Sequence, residues 1–251
     1  MTRQMAIVWP DPAPFRDRGG APIRLLAVSD QLDPTLVDRR NRETIGPIDL
    51  IVGCGDLDCD DLSFVADGFN APLVYVHGNH DSDARWAACE SYCPEAIHST
   101  AVHHEVGLSI AGLTWPGTRG PGAARNERKA WSQALRLATR RLGRPDPVIV
   151  ISHAPPLGAG DIPTDGYHRG FKGYLWLLHR LEPPLWLHGH TPLAATSDWQ
   201  IKRGATTLVN ATGAVVIELS PPDSGAAPKD GDATSAAKSS TRRRRGRAPR
   251  A

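Results

Sequence analysis

The sequence has few cysteines and no long apolar run. Four cysteines in 251 residues form no paired Cys-x-x-Cys framework, so free thiols in a reducing cytosol are the expected state. They are Cys54, Cys59, Cys89 and Cys93. No segment approaches the ~20 apolar residues of a membrane-spanning helix, and the apolar residues 5–9 are too few for a signal-peptide core. These features predict a cytoplasmic protein with no membrane partner.

Excess positive charge is absent from the body of the chain. The formal net charge is +2, of which residues 221–251 contribute +5, so residues 1–220 carry −3. A mildly acidic body does not favour general electrostatic binding of nucleic acid. Residues 221–251 have almost nothing to bury and are predicted to be a disordered basic tail. Nucleic acid is expected as a partner only through its arginine run, residues 242–245, and a solubilising tail without a partner is the alternative.

The rest of the chain predicts a leader followed by one domain. Residues 1–22 contain four prolines and a Gly-Gly pair, and they are predicted to be irregular, with room for one short strand at the start. Residues 23–220 are predicted to form the domain. Its predicted strands are 23–28, 48–52, 73–76, 102–106, 108–113, 147–151, 185–187, 206–210 and 214–219, and its predicted helices are 34–42, 125–142 and 170–181.

Two of these predictions concern how elements pack. Residues 206–210 and 214–219 flank Thr212-Gly213, a pattern that predicts a β-hairpin. The helix at 125–142 is predicted to bury one apolar stripe and to expose its arginines. The residues of that stripe are Trp131, Leu135, Ala138 and Leu142.

Polar residues follow several of the predicted strands directly. The stretch at residues 76–81, Val-His-Gly-Asn-His-Asp, ends a β-prone run, and its glycine allows a sharp turn. Ligands of open α/β sheets bind at the carboxyl ends of strands. An amide oxygen, imidazoles and carboxylates suit borderline divalent metals. Taken alone, the stretch equally fits a strand-ending turn with solvated polar side chains. The strand-end residues are Asp30, Asp56, Asn79, His80, Asp81, His153 and His190.

In their order along the chain, these residues resemble the motifs of the calcineurin-like metallophosphoesterase superfamily. The family's motifs are Asp-x-His, Gly-Asp, Gly-Asn-His-Asp/Glu, a lone His and Gly-His-x-His. Here they stand as Asp30-Gln31-Leu32, Gly55-Asp56, Gly78-Asn79-His80-Asp81, His153 and Gly189-His190-Thr191-Pro192. The resemblance covers residues 23–219. It implies an α/β four-layer sandwich, in which two mixed β-sheets pack face to face between helices and the site lies at one edge.

The resemblance also implies a site for two metal ions bridged by Asp56. One ion is held in addition by Asn79, His153 and His190, and this half of the site is complete. The ion is expected to be Mn, Fe, Zn, Mg or Ni.

The other half of the site is altered. The family uses an Asp and two histidines, whose positions here are Asp30, Leu32 and Pro192, and the last two have no donor atom. Three alternatives follow: a second ion binds weakly through substitutes and water, the enzyme works with one ion, or catalysis is lost. The first two are favoured together. The substitutes considered are Gln31, Asp33 and His188.

The chemistry that the resemblance implies is metal-dependent hydrolysis of a phosphoric ester. A hydroxide on the metal attacks phosphorus in line, while His80 protonates the leaving group or steadies the transition state and Asp81 orients His80. A phosphodiester or nucleotide-like substrate is favoured over a monoester. The alternative is a catalytically weak or silent phosphate- or nucleotide-binding protein. The sequence leaves the oligomeric state open.

One further loop, residues 160–171, carries more polar groups than a connector needs. It lies between the fourth and fifth motifs, and similar segments occur in a bacterial branch of the superfamily that also has an altered first motif. His168 and Arg169 are predicted to contact a substrate phosphate, with Arg169 binding in bidentate fashion. A surface loop with a helix-capping role is the alternative.

Overall fold

The computed structural model describes residues 2–89, 91–97, 99–195 and 198–222. Its strands are β1 (Arg3–Val8), β2 (Ile23–Ser29), β3 (Leu50–Gly53), β4 (Leu73–Tyr75), β5 (Val102–Glu105), β6 (Leu108–Leu113), β7 (Gly117–Thr118), β8 (Ala124–Arg125), β9 (Val148–Ser152), β10 (Leu185–His188), β11 (Gln200–Arg203), β12 (Thr206–Asn210) and β13 (Gly213–Ser220). Its α-helices are α1 (Pro34–Val37), α2 (Arg39–Ile45), α3 (Cys59–Phe69), α4 (Asp83–Ala87), α5 (Glu127–Arg140) and α6 (Lys172–Leu181). Single 3₁₀ turns lie at Ala13–Phe15 and Leu193–Ala195.

Two large sheets form the centre of the molecule. The first has the strand order β1-β13-β2-β3-β4, and the second has the order β11-β12-β10-β9-β6-β5. In the first sheet β2, β3 and β4 run parallel, and β13 pairs antiparallel to β2. In the second sheet β6, β9, β10 and β12 run parallel, and the edge strands are antiparallel to their neighbours. Both sheets are therefore mixed, as the sequence predicts.

The sheets pack face to face, and helices cover their outer faces. Successive side chains of a strand point to opposite faces, so Leu25 of β2 and Ile149 of β9 meet in the cluster between the sheets. The next residue of each strand faces outward. Leu26 packs against the helices that cover the first sheet, and Val150 packs against α5 and α6. Central strands such as β3 and β9 are almost wholly apolar because both of their faces are buried.

The first predicted helix, residues 34–42, is two short helices in the structure. Asp33 caps α1 by accepting a hydrogen bond from the backbone N–H of Thr35, and Asp38 caps α2 through the N–H of Arg40. Each Asp supplies an acceptor that the first turn of a helix lacks. The second cap interrupts the helix that the sequence predicts as continuous. Within the described ranges, no helix is long and apolar enough to cross a membrane.

The segment before residue 23 is more ordered than predicted. β1 pairs in parallel with β13 at the edge of the first sheet, and Trp9 and Phe15 are buried in the cluster between the sheets. Alternate residues of β1, including Met5 and Ile7, face this cluster. The short strand for which the sequence left room is β1, whereas its pairing with β13 and the burial of Trp9 and Phe15 are not predicted by the sequence. At the other end, the predicted tail lies outside the described residues from residue 223 onward.

The predicted hairpin at residues 206–219 is also wrong. β12 belongs to the second sheet, where it pairs with β10 and β11, and β13 belongs to the first sheet. The intervening residues cross from one sheet to the other, and Gly213 takes a positive φ of 77° at the crossing. β12 forms its hairpin with β11, which the sequence does not predict.

Two of the cysteines form a disulfide, which contradicts the prediction of four free thiols. Cys59 and Cys89 are bonded, while Cys54 and Cys93 are free. Cys59 begins α3 shortly after Asp56, and Cys89 follows α4. The bond therefore ties together the two segments that follow the loops after β3 and β4.

We expect replacement of Cys59 by serine to lower the free energy of unfolding by about 3–4 kcal/mol, because the cross-link closes a long loop in the unfolded chain. Denaturation without reductant measures the effect. Cys93→Ser is the matched control, since Cys93 is a free thiol nearby, and we expect a change within about 1 kcal/mol. Equal stability of Cys59→Ser and the wild-type protein would contradict this expectation.

Candidate functional site

Three of the predicted metal ligands converge on one point. Asp56, His153 and His190 each offer a ligand atom, and these atoms lie within 4.8 Å of one another. They follow β3, β9 and β10, so each comes from the carboxyl end of a parallel strand. Asp56 and His190 have positive φ angles of 57° and 66°. Non-glycine residues seldom adopt this conformation, and it is concentrated at functional sites.

His153 is fully buried at the centre of this group. Its Nδ1 donates to the carbonyl of Cys54 at 2.9 Å, and its Nε2 lies 2.9 Å from Oδ1 of Asn79 and 3.0 Å from Oδ2 of Asp56. Burial by itself lowers the pKa of His153, but the charge and hydrogen bond of Asp56, aided by Asp30, raise it to about 9. Burial alone would raise the pKa of Asp56, yet its interactions with His153 and His80 lower it.

A divalent cation fits this arrangement. Two adjacent ligand atoms that each bind a metal at ~2.1 Å lie ~3 Å from one another. His153 Nε2 lies at about this distance from each of the two oxygens. In the structure, a proton on Nε2 satisfies the oxygens of Asn79 and Asp56. A cation in the place of that proton meets one imidazole nitrogen and two oxygens, a set that borderline metals accept.

His190 supplies a second imidazole. Its Nε2 donates to the carbonyl of Tyr167 at 2.9 Å, which leaves Nδ1 available as a ligand atom. Burial, together with the nearby charge of His153, lowers the pKa of His190 to about 3. The ring is therefore neutral at physiological pH, as a metal ligand must be. The Trp115 ring lies 5.1 Å from the His190 ring and 6.1 Å from the His153 ring, centroid to centroid, and forms an apolar wall.

Asp30 lies beside the group, but its carboxylate is already engaged. It accepts hydrogen bonds from the backbone N–H of His190 at 3.0 and 3.2 Å and from Oγ1 of Thr212 at 3.0 Å. The contact with the loop after β10 is close: a Cβ at Gly189 would lie 2.4 Å from Oδ2 of Asp30. Asp30 thus holds the loop that carries His190 against the end of β2.

The loops after β3 and β4 are held together by crossed hydrogen bonds. Oδ2 of Asp81 accepts from the backbone N–H of Gly78 at 2.7 Å and of Asp56 at 3.0 Å. Oδ1 of Asp56 accepts from the N–H of His80 at 2.7 Å. A Cβ at Gly78 would lie 2.2 Å from Oδ1 of Asp56, so this position requires glycine.

These contacts correct the predicted role of Asp81. Among the hydrogen bonds of the described residues, none joins the carboxylate of Asp81 to the ring of His80. The buried carboxylate binds backbone N–H groups and lies 3.8 Å from Nδ1 of His77. Asp81 therefore positions the backbone of both loops, and another residue orients the ring of His80.

That residue is Tyr167, which the sequence did not single out. Its hydroxyl lies 2.8 Å from Nε2 of His80 and 2.7 Å from Nδ2 of Asn79, and its carbonyl accepts from His190. The polar loop at 160–171 was recognised as a candidate. Nothing in the local pattern distinguishes the hydroxyl of Tyr167 from its neighbours, because the partners lie far away in the sequence.

The loop that carries Tyr167 is anchored from both sides. Arg125 donates to the carbonyls of Arg169 and Gly170, and its guanidinium lies 4.3 Å from the ring centroid of Phe171. Asp161 accepts from the N–H groups of Gly158 and Gly170, both at 2.8 Å. These contacts on both sides fix the loop over the site.

The two predicted phosphate contacts differ in position. Nδ1 of His168 binds Asp165, and its ring lies 5.3 Å from the ring of His190, close to the metal group. The side chain of Arg169 is exposed. No hydrogen bond or ion pair of this side chain is found within the described part of the chain. Arg169 is therefore the more available of the two for an external anion.

None of the substitutes considered for the altered half of the site belongs to the group of Asp56, His153 and His190. Leu32 packs against the cluster under the helices of the first sheet, and Pro192 is exposed. Asp33 is committed to capping α1, and His188 is buried with its Nδ1 3.0 Å from the carbonyl of Gly189. Burial lowers the pKa of His188 to about 4. The Asp56, His153 and His190 group within the described residues includes none of these side chains, nor Gln31.

Comparisons with known proteins agree with this architecture. A family model described as calcineurin-like phosphoesterase matches residues 24–194. The solved structure of TT1561 from Thermus thermophilus is similar, with a TM-score of 0.53 and 18% identity, covering 77% of this chain and 90% of that one. The search of curated proteins found no match.

A candidate 5′-nucleotidase from Staphylococcus aureus, solved in complex with alpha-ketoglutarate, has the same TM-score of 0.53 at 14% identity. The alignment covers 84% of this chain but 56% of that longer one. At such identities the likenesses show the fold alone, whereas the family match spans more than half of the sequence. The chain therefore belongs to the calcineurin-like phosphoesterase family, whose members depend on metal ions.

Proposed function

We propose that this protein hydrolyses a phosphoric ester at a metal centre formed by Asp56, Asn79, His153 and His190. The observation that carries the proposal is the convergence of one carboxylate and two imidazoles within 4.8 Å, with an amide oxygen 2.9 Å from His153. The family match supports phosphoester hydrolysis in general terms. A phosphodiester or nucleotide-like substrate is our preferred class, with a monoester second.

The roles of the residues follow from their positions. A bound divalent cation supplies Lewis-acid activation of water and of the phosphoryl oxygens. His80 is exposed next to the group, and its imidazole assists the leaving group. Arg169 presents an exposed guanidinium for a substrate phosphate, and His168 flanks the phosphate from the same loop. Asp81 fixes the relative positions of the loops that carry Asp56 and His80.

We further propose one firmly bound ion, with Mn²⁺ as the first choice and Fe, Zn, Mg or Ni as alternatives. The carboxylate of Asp30 already accepts from His190 and Thr212. Leu32 and Pro192 offer no donor in place of the missing histidines. A second ion is therefore left with few ligands and is expected to bind weakly.

The experiment is hydrolysis of bis-para-nitrophenyl phosphate, beside para-nitrophenyl phosphate, by metal-stripped protein reloaded with Mn²⁺. We expect turnover that requires the metal and is faster for the diester. Turnover that is equal with and without metal would contradict the metal centre. A faster monoester reaction would contradict the preferred substrate class alone.

The second candidate is a phosphate- or nucleotide-binding protein without turnover. The substitutions at Leu32 and Pro192 favour it, because they remove two family ligands. Calorimetry with adenosine monophosphate and Mn²⁺ separates the two functions when it is paired with product analysis. Tight binding of adenosine monophosphate with no turnover of it, of bis-para-nitrophenyl phosphate or of para-nitrophenyl phosphate over a day would favour the binding protein.

A further inference from the structure

The hydroxyl of Tyr167 occupies a position that a bound ester must share. It bridges Asn79, which belongs to the proposed metal centre, and His80, the proposed leaving-group residue, at 2.7 and 2.8 Å. An ester that binds the metal and also contacts His80 must pass between these two side chains. The oxygen of Tyr167 is therefore within reach of the reacting ester, or in the place of one of its oxygens.

The donors and acceptors define what this hydroxyl does in the resting site. Nδ2 of Asn79 can only donate, so the oxygen of Tyr167 accepts there. Since Oδ1 of Asn79 faces His153, this orientation of the amide is fixed. The hydroxyl also lies 2.8 Å from Nε2 of His80, a contact in which either atom can donate. Because the phenol oxygen accepts from Asn79, its own hydrogen can be donated to an ester oxygen that approaches His80.

The space beside this hydroxyl is apolar. A cavity of about 440 Å³ opens between the loop of Tyr167 and the loop that joins β7 to β8. It is lined by His80, Tyr167, Gly120, Pro121, Gly122 and Ala123. Of the residues in this lining, His80 and Tyr167 alone carry an ionisable group. Such a wall suits an uncharged, flat group and offers nothing to a polyanionic one.

We propose that Tyr167 contacts the substrate in the hydrolysis reaction: its hydroxyl donates a hydrogen bond to the leaving-group oxygen beside His80. The leaving group itself is an uncharged aromatic or nucleoside-like moiety that lies in the apolar cavity against the ring of Tyr167. This inference rests on the proposed function and adds a residue and a leaving-group class to it. The anchors at Arg125 and Asp161 hold the hydroxyl in place before substrate binds.

The test is a series of methyl aryl phosphates whose leaving groups become poorer, from para-nitrophenol through para-chlorophenol to phenol. A good leaving group departs without help, whereas a poor one needs a donor. We expect Tyr167→Phe to lower kcat less than about threefold for the nitrophenyl ester and about 10- to 100-fold for the phenyl ester. Tyr92→Phe is the matched control, since Tyr92 is exposed and its hydroxyl binds Asp60.

A binding measurement, which does not depend on turnover, tests the role of the apolar cavity. We expect phenylphosphonate to bind the Mn²⁺-loaded wild-type protein about tenfold more tightly than methylphosphonate does, by calorimetry, because its ring enters the cavity. Ala123→Leu fills the cavity and should reduce this ratio towards one. The affinity for Mn²⁺ should stay the same in Ala123→Leu, which excludes damage to the metal centre. The Tyr167→Phe protein is assayed at saturating Mn²⁺, because its hydroxyl also contacts the proposed ligand Asn79.

The outcomes separate this inference from the proposed function. A uniform loss across the ester series, or none, in a wild-type protein that turns over would overturn the role of Tyr167 and leave phosphoester hydrolysis standing. Equal affinity for the two phosphonates would overturn the leaving-group class. Absence of wild-type turnover on every ester would overturn the proposed function and the role of Tyr167 with it.

Discussion

A His153→Ala variant is expected to lose more than about 100-fold of the metal-dependent turnover, since replacement of mere outer-shell groups costs 10- to 100-fold in metal affinity or activity. His153 is fully buried and contacts the carbonyl of Cys54, the amide of Asn79 and the carboxylate of Asp56. Its removal takes away one of the four proposed ligands and leaves Asn79 and Asp56 without their shared partner. The variant should lose both the turnover of bis-para-nitrophenyl phosphate and the binding of Mn²⁺, which calorimetry measures.

His103→Ala is the matched control, because His103 is exposed on the edge strand β5, in the sheet that carries His153. Its turnover and metal affinity should equal those of the wild-type protein. Thermal unfolding of both variants shows whether the fold persists. Full activity in a folded His153→Ala protein would mean that the metal centre lies elsewhere.

An Asp81→Ala variant is expected to lose about 2–6 kcal/mol of unfolding free energy, because one buried and one partly buried N–H group would lose their acceptor at about 1–3 kcal/mol each. Those groups belong to Gly78 and Asp56. The loops of the metal centre would then separate, and activity should fall with stability. Chemical denaturation and turnover measure the two effects.

Asp81→Asn distinguishes this account from the family role of an acid that orients His80. The amide oxygen of Asn still accepts from both N–H groups, so stability should change by less than about 1 kcal/mol. Most of the activity should remain. If Asp81→Asn is as inactive as Asp81→Ala while keeping its stability, the carboxylate acts through its charge on His80 and not through the backbone.

The strand-end positions of the site were predictable from the sequence because they depend on local patterns. An apolar run followed by polar residues predicts a buried strand that ends at those residues. β2 and β9 end directly before Asp30 and His153, and β3 ends three residues before Asp56. Parallel neighbours bring such ends to one edge. The convergence of Asp56, His153 and His190 follows from these two facts.

Contacts between distant segments were not predictable in the same way. Tyr167 meets Asn79 and His80 where the loop at residues 160–171 approaches the loop after β4. Cys59 meets Cys89 where the start of α3 approaches the residues after α4. A turn signal such as Thr212-Gly213 shows that the chain changes direction but not which sheet it enters. The hairpin prediction failed for that reason.

The sequence pattern alone does not decide which of two faces of α5 is buried. The predicted stripe included Leu135 and Leu142, which are 51% and 61% exposed. The helix instead buries Ala134 and Leu137. α6 approaches very closely, since a Cβ at Gly173 would lie 2.9 Å from the backbone of α5. Close approach selects the face with small residues over the face with larger apolar ones.

The measurement that tests the central claim most directly is a titration of metal-stripped protein with Mn²⁺, in which bound metal per chain and turnover of bis-para-nitrophenyl phosphate are followed together. Our account predicts that turnover rises with the first bound ion and reaches most of its final value at one ion per chain. Stoichiometric binding of Mn²⁺ without turnover at any pH would contradict it, and the chain would then be a binding protein on a phosphoesterase scaffold.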